Sequence, residues 1–338
     1  MRAALWDGPG KPLRVDRVPD PKPGPRDLLL RVRGCGICGS DLHMSEMPGL
    51  RPGLVMGHEF AGEVLEVGRD AEGGWRVGDR VCALPGIGCG HCAACLSGDL
   101  MLCPSLVTTG LGQNSGGYAE YVVTGSRETL RLPAAVDYRV GALVEPLAVG
   151  LHAVEMAGMR PGQDVLVIGA GPVGVAVALW ARFFGARHVV VSDFVAHRRE
   201  LALRHGATAV IDPAREEVKP AFERITGARP GLVIECVGVP GLIQQCIQLC
   251  EPRGTVLVAG VCMKQDTLVP VTAVLKELKL QFVAFYHKRN FELTLDLLGT
   301  ERIRASGFIT DRIGLDALPD AFEALKQPST QCKVIVEP

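Results

Sequence analysis

Apolar and polar residues alternate through the first third of the chain. MRAALW (1–6), LRVDRV (13–18), LLLRVRG (28–34), AGEVLEVG (61–68) and GDRVCAL (78–84) each carry the two-residue period of strands. Turn residues separate them, as in PDPKPGPRD (19–27). Short strands broken this way predict an all-β, barrel-like unit. From Asp164 the rhythm changes. DVLVIGA, HVVVSD, AVID, LVIECVG, TVLVAG and QFVAFYH are near-continuous apolar runs of the kind buried on both faces of a parallel sheet. Segments with helical character lie between them, among them VAVALWARFFG and LIQQCIQLC. Strand and helix in alternation predict a doubly wound α/β sheet. The tail carries two amphipathic helices and QCKVIVEP, which we expect to return to the first unit. The expected division is therefore 1–148 with 288–338, and 149–287.

Composition narrows the class. A chain of 338 residues is long for one core and fits two domains. The formal net charge is -1, so no global field draws nucleic acid or an anionic membrane. No apolar run approaches the roughly 20 residues of a membrane span, and MRAALWDGPG lacks the apolar core of a signal peptide. Of 12 cysteines, five cluster between Cys82 and Cys103. Without a signal segment they read as metal ligands or buried thiols, and a reducing cytoplasm is expected.

Three stretches carry chemistry. In GIGCGHCAACLSGDLMLC, Cys89, Cys92, Cys95 and Cys103 are spaced x2, x2, x7. Two-residue gaps let sulfurs converge, and four thiolates make a closed tetrahedral zinc site. An iron–sulfur cluster is the competing reading, but the ferredoxin run has its fourth Cys after x3 with a proline behind it. Residues 35–59 offer Cys38, Asp41, His43, His58 and Glu59 among several glycines, the donor types of a catalytic zinc. GAGPVG follows one predicted strand and opens a helix. Gly169, Gly171 and Gly174, with Pro172 and Val173 between them, form the G-x-G-x-x-G turn. Asp193 stands nineteen residues beyond Gly174, completing a dinucleotide fingerprint. An acidic residue there favours NAD over NADP. Arg198 and Arg199 are cations that can accommodate a 2′-phosphate. Val237, Gly260 and Val261 end later strands and are expected beside the nicotinamide half.

CGICGSDLH, GHEFAGEVLEVG, GDRV and the four-Cys lobe together resemble the zinc-dependent medium-chain alcohol dehydrogenase family over nearly the whole chain. The resemblance implies a GroES-like β-barrel catalytic domain plus a doubly wound Rossmann cofactor domain. It implies Cys38 and His58 as catalytic zinc ligands, Asp41 orienting a ligand, and Glu59 beside the metal or transiently in its shell. It implies Ser40 relaying the substrate proton and His43 passing it outward. Glu145, in LVEPLAVGLHAV, lies where relatives have Cys or Glu and is the expected third ligand. EPLAV is similar to the polyol and butanediol dehydrogenase branch. Arg198 is implied along the adenine ribose and Lys333 at the pyrophosphate.

The expected protein is a cytoplasmic homo-oligomer, dimer or tetramer, holding NAD and two zinc ions per subunit, one catalytic and one structural. Its substrates are a small secondary alcohol, a diol or polyol, and the matching ketone, with neither nucleic acid nor membrane as partner. A hydroxy amino acid dehydrogenase is the alternative within the class. A non-enzymatic NAD-binding structural or sensor protein is the rival outside it.

Overall fold

The computed structural model of the protein describes residues 1–327 and 330–338. It divides into two compact units, one of Met1–Glu145 with Tyr286–Pro338, the other Pro146–Phe285.

In the first unit the central sheet runs Thr129–Arg131, Arg80–Ala83, Glu59–Val67, Asp27–Gly36, Lys333–Val336, Ile309–Ile313, with Tyr121–Gly125 also paired to Asp27–Gly36. The expected alternation appears in Asp27–Gly36, where Leu28, Leu30 and Val32 are buried. They pack with Trp6, Phe60, Val64, Tyr118, Phe322 and Val334 in one core. A smaller sheet sets Arg2–Trp6 between Arg14–Arg17 and Leu54–Val55. The tail does return here. Its last strand pairs antiparallel with Asp27–Gly36, placing Ile335 opposite Gly36, while Gly36 faces Glu59 on its other side.

The second unit is a parallel sheet in the order Ala209–Ile211, His188–Ser192, Asp164–Ile168, Leu232–Glu235, Thr255–Val258, Lys279–Phe282. Asp164–Ile168 is fully buried, as its unbroken apolar run predicts. The strand order reverses beside it, which is where doubly wound sheets bind ligands. One expectation shifts. The last strand spans Lys279–Phe282 rather than residues 281–287, because Phe285 takes a positive φ of 61° and turns the chain away. The preceding helix is short, Pro270–Leu275, and ends ahead of Glu277, whose φ is also positive at 51°. Among the described residues, no helix is long and apolar enough to cross a membrane.

Candidate metal centres and cofactor turn

Strand pairing builds the first centre. Asp27–Gly36 leads into Cys38, which caps the helix Gly39–Ser45, and its partner strand begins at Glu59, just after His58. Cys38, His58 and Glu59 therefore meet at one end of the sheet, each with a donor atom within 4.8 Å of the others. His58 and Glu59 are buried. Thiolate, imidazole and carboxylate at that spacing fit a zinc ion.

Asp41 organises the cluster. Its side chain accepts from the Cys38 amide at 3.1 Å and from Tyr118 Oη at 2.7 Å, and meets His58 Nδ1 at 3.1 Å. Burial works against the Asp41 charge, but His58, Tyr118 and the Cys38 N–H outweigh it and hold its pKa below the ordinary value. Burial likewise pulls His58 down, and Asp41 raises it well above the usual imidazole range. A carboxylate on Nδ1 fixes the tautomer that leaves Nε2 free to ligate. Ser40 Oγ lies 3.4 Å from that Nε2. His43 sits three residues on, one helical turn along, and is exposed.

Glu145 does not join the three-donor cluster. Its Oε1 accepts from Tyr286 Oη at 2.7 Å, and burial pushes its pKa up to about 7, with the His58, Glu59 and Lys333 charges acting on it. Glu59, implied beside the metal, is in the three-donor cluster, and Glu145 stands next to it. Tyr286 is the donor that anchors Glu145. Lys333, implied at the pyrophosphate, is 1% exposed, its ammonium ion-paired with Glu59 and bonded to the Ile37 carbonyl at 3.2 Å. The Glu59 carboxylate, with no exposed surface, requires a countercharge, and the last strand of the sheet delivers one.

The second centre is local. Cys89, Cys92, Cys95 and Cys103 bring their sulfurs within 4.8 Å of one another. Backbone amides point at them, Cys95 N–H to Cys92 Sγ and Cys89 N–H to Cys103 Sγ, both at 3.4 Å. Amides from His91 and Cys92 pull the Cys89 thiol down to about 6. Burial and the neighbouring sulfurs push Cys95 up to about 12. Four sulfurs crowded this closely fit a cation held by their thiolates. His91 stays on the surface, as expected of a loop residue. A cavity of about 790 Å³ lies against this lobe, lined by Trp75, Arg127 and Glu128, and includes none of Cys38, His58 and Glu59.

In the second unit, Gly171 caps the helix Pro172–Phe183, with Pro172 at its first position. A Cβ at Gly174 would fall 1.9 Å from the Gly169 carbonyl, while one at Gly171 would meet nothing within 4 Å. The turn is closed against its own strand and open on the face a pyrophosphate would use. Asp193 accepts from the Ala170 and Val195 amides at 2.7 and 2.8 Å, so it is fixed at the mouth of that turn. Arg199 is committed to the Asp193 and Phe194 carbonyls and to Asp212. Arg198 has a buried Nε without a hydrogen-bond partner. Val237 and Val261 are exposed apolar side chains just past the strand ends, and Gly260 lies beside Gly238.

A two-unit dehydrogenase architecture with a Cys/His/Glu donor cluster, a four-Cys lobe and a dinucleotide turn defines the class of protein. Residues 24–134 match the alcohol dehydrogenase GroES-like domain and residues 172–300 the zinc-binding dehydrogenase domain. The chain is 33% identical to sorbitol dehydrogenase of Macaca fascicularis over 328 residues, 95% of this chain and 91% of that protein. The 2R,3R-butanediol dehydrogenase of Bacillus subtilis superposes with a TM-score of 0.88 at 31% identity, covering 100% of this chain and 99% of that one. A zinc-binding dehydrogenase of Sinorhizobium meliloti 1021 bound to NADP gives 0.88 at 34%, with the same coverage. The chain belongs to the zinc-dependent medium-chain alcohol dehydrogenase family, in the branch of the polyol dehydrogenases.

Proposed function

We propose that the protein interconverts a small diol or polyol, at a secondary carbon, with its ketone, using NAD(H) and a zinc ion held by Cys38, His58 and Glu59. The observation that carries this reading is the convergence of those three donors with Asp41 behind His58. Zinc there would supply a Lewis acid for the alcohol oxygen, and NAD would supply the hydride acceptor.

The protein's own groups orient, bind and carry protons. Asp41 holds the His58 ring. The Ser40 hydroxyl, beside His58 Nε2, takes the substrate proton, and His43 on the same helix face releases it to solvent. Glu145, anchored through one oxygen by Tyr286, keeps its other oxygen for the hydroxyl next to the reacting one. That second acceptor is the reason to favour a diol or polyol over a simple alcohol. The four-Cys lobe holds the second, structural zinc. Gly169, Gly171 and Gly174 admit the pyrophosphate, Asp193 takes the adenosine ribose with Arg198 alongside, and Val237, Gly260 and Val261 flank the nicotinamide half.

A homo-oligomer is supported by an apolar edge on the second unit. Val274 and Leu275 are 69% and 80% exposed on a helix with no buried residue, next to a strand paired on one side only. Light scattering tests this, and a monomer at working concentration contradicts it. The substrate class is tested with a panel of diols, sugar alcohols and hydroxy amino acids scored by NADH absorbance. Diols or polyols should lead, and a hydroxy amino acid in first place would move the assignment.

A further inference from the structure

The tail strand places a cation inside the metal centre. Three neighbouring strands hold it there, with Glu59 opposite Gly36 and Gly36 opposite Ile335 two residues past Lys333. Gly36 leaves room for the Glu59 carboxylate, since a Cβ there would lie 2.0 Å from its Oε2. Both partners of the Lys333 ammonium, Glu59 Oε1 and the Ile37 carbonyl, belong to the segments that form the cluster. The remaining oxygen, Glu59 Oε2, is buried with no hydrogen-bond partner. One carboxylate is thus divided, with one oxygen on an ammonium and the other without a hydrogen-bond partner.

We infer that Lys333 is a positioning residue of the zinc site. It holds Glu59 by Oε1, so that the carboxylate meets the ion through one oxygen, and its charge loosens the site's hold on a dication. The inference rests on Cys38, His58 and Glu59 being zinc ligands. Its purpose follows from charge. Cys38 and Glu59 each bring a negative charge, and Glu145 stands close by. Anionic donors tighten binding but spend the ion's positive charge, which is what polarises an alcohol. A fixed ammonium offsets one of them. A lysine that only neutralised a buried carboxylate would leave the ion's coordination untouched.

The test compares wild type, Lys333→Met and Lys333→Arg, with the four-Cys lobe kept filled. Zinc affinity is measured by chelator competition, and the site is then loaded with cobalt(II) for its visible spectrum. Lys333→Met should bind zinc about tenfold or more tightly, because a like charge a few ångströms away is removed. Its cobalt spectrum should weaken, the signature of an added oxygen ligand once Glu59 offers both atoms. Lys333→Arg retains the charge and survives if Met prevents folding. Its fork can take both oxygens, so zinc should bind no more tightly than in wild type. An unchanged affinity and spectrum in Lys333→Met, or tighter zinc in Lys333→Arg, overturns the inference. If wild type holds zinc only in the four-Cys lobe, the ligand assignment itself falls, and the inference with it.

Discussion

His58 Nδ1 lies 3.1 Å from Oδ1 of Asp41, a carboxylate with no exposed surface. The pair decides which histidine nitrogen can reach a metal, and it couples metal binding to protons. In the metal-free protein burial opposes a charged ring, yet Asp41 raises the His58 pKa well above its ordinary value. An ion can take only the neutral ring, so it must displace that proton. Below the raised pKa, zinc affinity should fall as pH falls.

Asp41→Asn should therefore do two things. Zinc affinity at the cluster should drop about 10- to 100-fold, the usual cost of losing the partner behind a ligating histidine. Its pH dependence near neutrality should also become shallower, because the ring no longer holds the proton. Chelator competition at several pH values measures both. A parallel slope in wild type and variant would mean that Asp41 does not set the His58 proton.

The two metal centres should separate by variant. Cys95→Ser removes a ligand from the lobe, and structural zinc contributes folding free energy directly. Loss of a few kcal/mol corresponds to a fall in Tm of about 10 °C for a domain of this size. Cys38→Ser should abolish turnover with a smaller fall. The opposite order of melting temperatures would exchange the roles of the two sites.

Cofactor choice should rest on Asp193. Its carboxylate, fixed by the Ala170 and Val195 amides, repels a 2′-phosphate, so kcat/KM should favour NAD over NADP. Asp193→Gly should narrow the preference. Since Arg199 is occupied by Asp212 and two carbonyls, a wild-type preference for NADP would point to Arg198, whose Nε is unpartnered.

Ser40→Ala should cut alcohol oxidation severely, by about 100-fold or more, within the range of positioned proton transfer. His43→Ala should cost less, because His43 is exposed and water can replace it. The pH–rate profile is the sensitive readout. It should change shape in His43→Ala, and an unaltered profile removes His43 from the relay.

Legibility in the sequence tracked distance along the chain. The four-Cys lobe and the glycine turn could be read because each is a local pattern, with its spacing bearing on its geometry. The two units could be read because period two and buried apolar runs differ plainly. Lys333 could not, because its partner Glu59 is 274 positions away and only strand pairing joins them. Tyr118 could not be read either, because its hydroxyl reaches Asp41 from 77 positions away. Glu145 and Glu59 are both carboxylates beside a proline or a histidine, and only the fold separates the one in the donor cluster from the one on Tyr286. The last strand of the parallel sheet was misplaced because apolar residues continue past it, into a segment that leaves the sheet.

The most direct test is a zinc titration of diol oxidation. Protein that retains only the lobe's zinc is given NAD and butane-2,3-diol, and the initial rate is followed as zinc rises from one to two per chain. The rate should be negligible at one equivalent, climb with occupancy of the Cys38, His58 and Glu59 site, and level off at two. Full activity at one equivalent, or none at two, would contradict a zinc-dependent diol dehydrogenase built on that cluster.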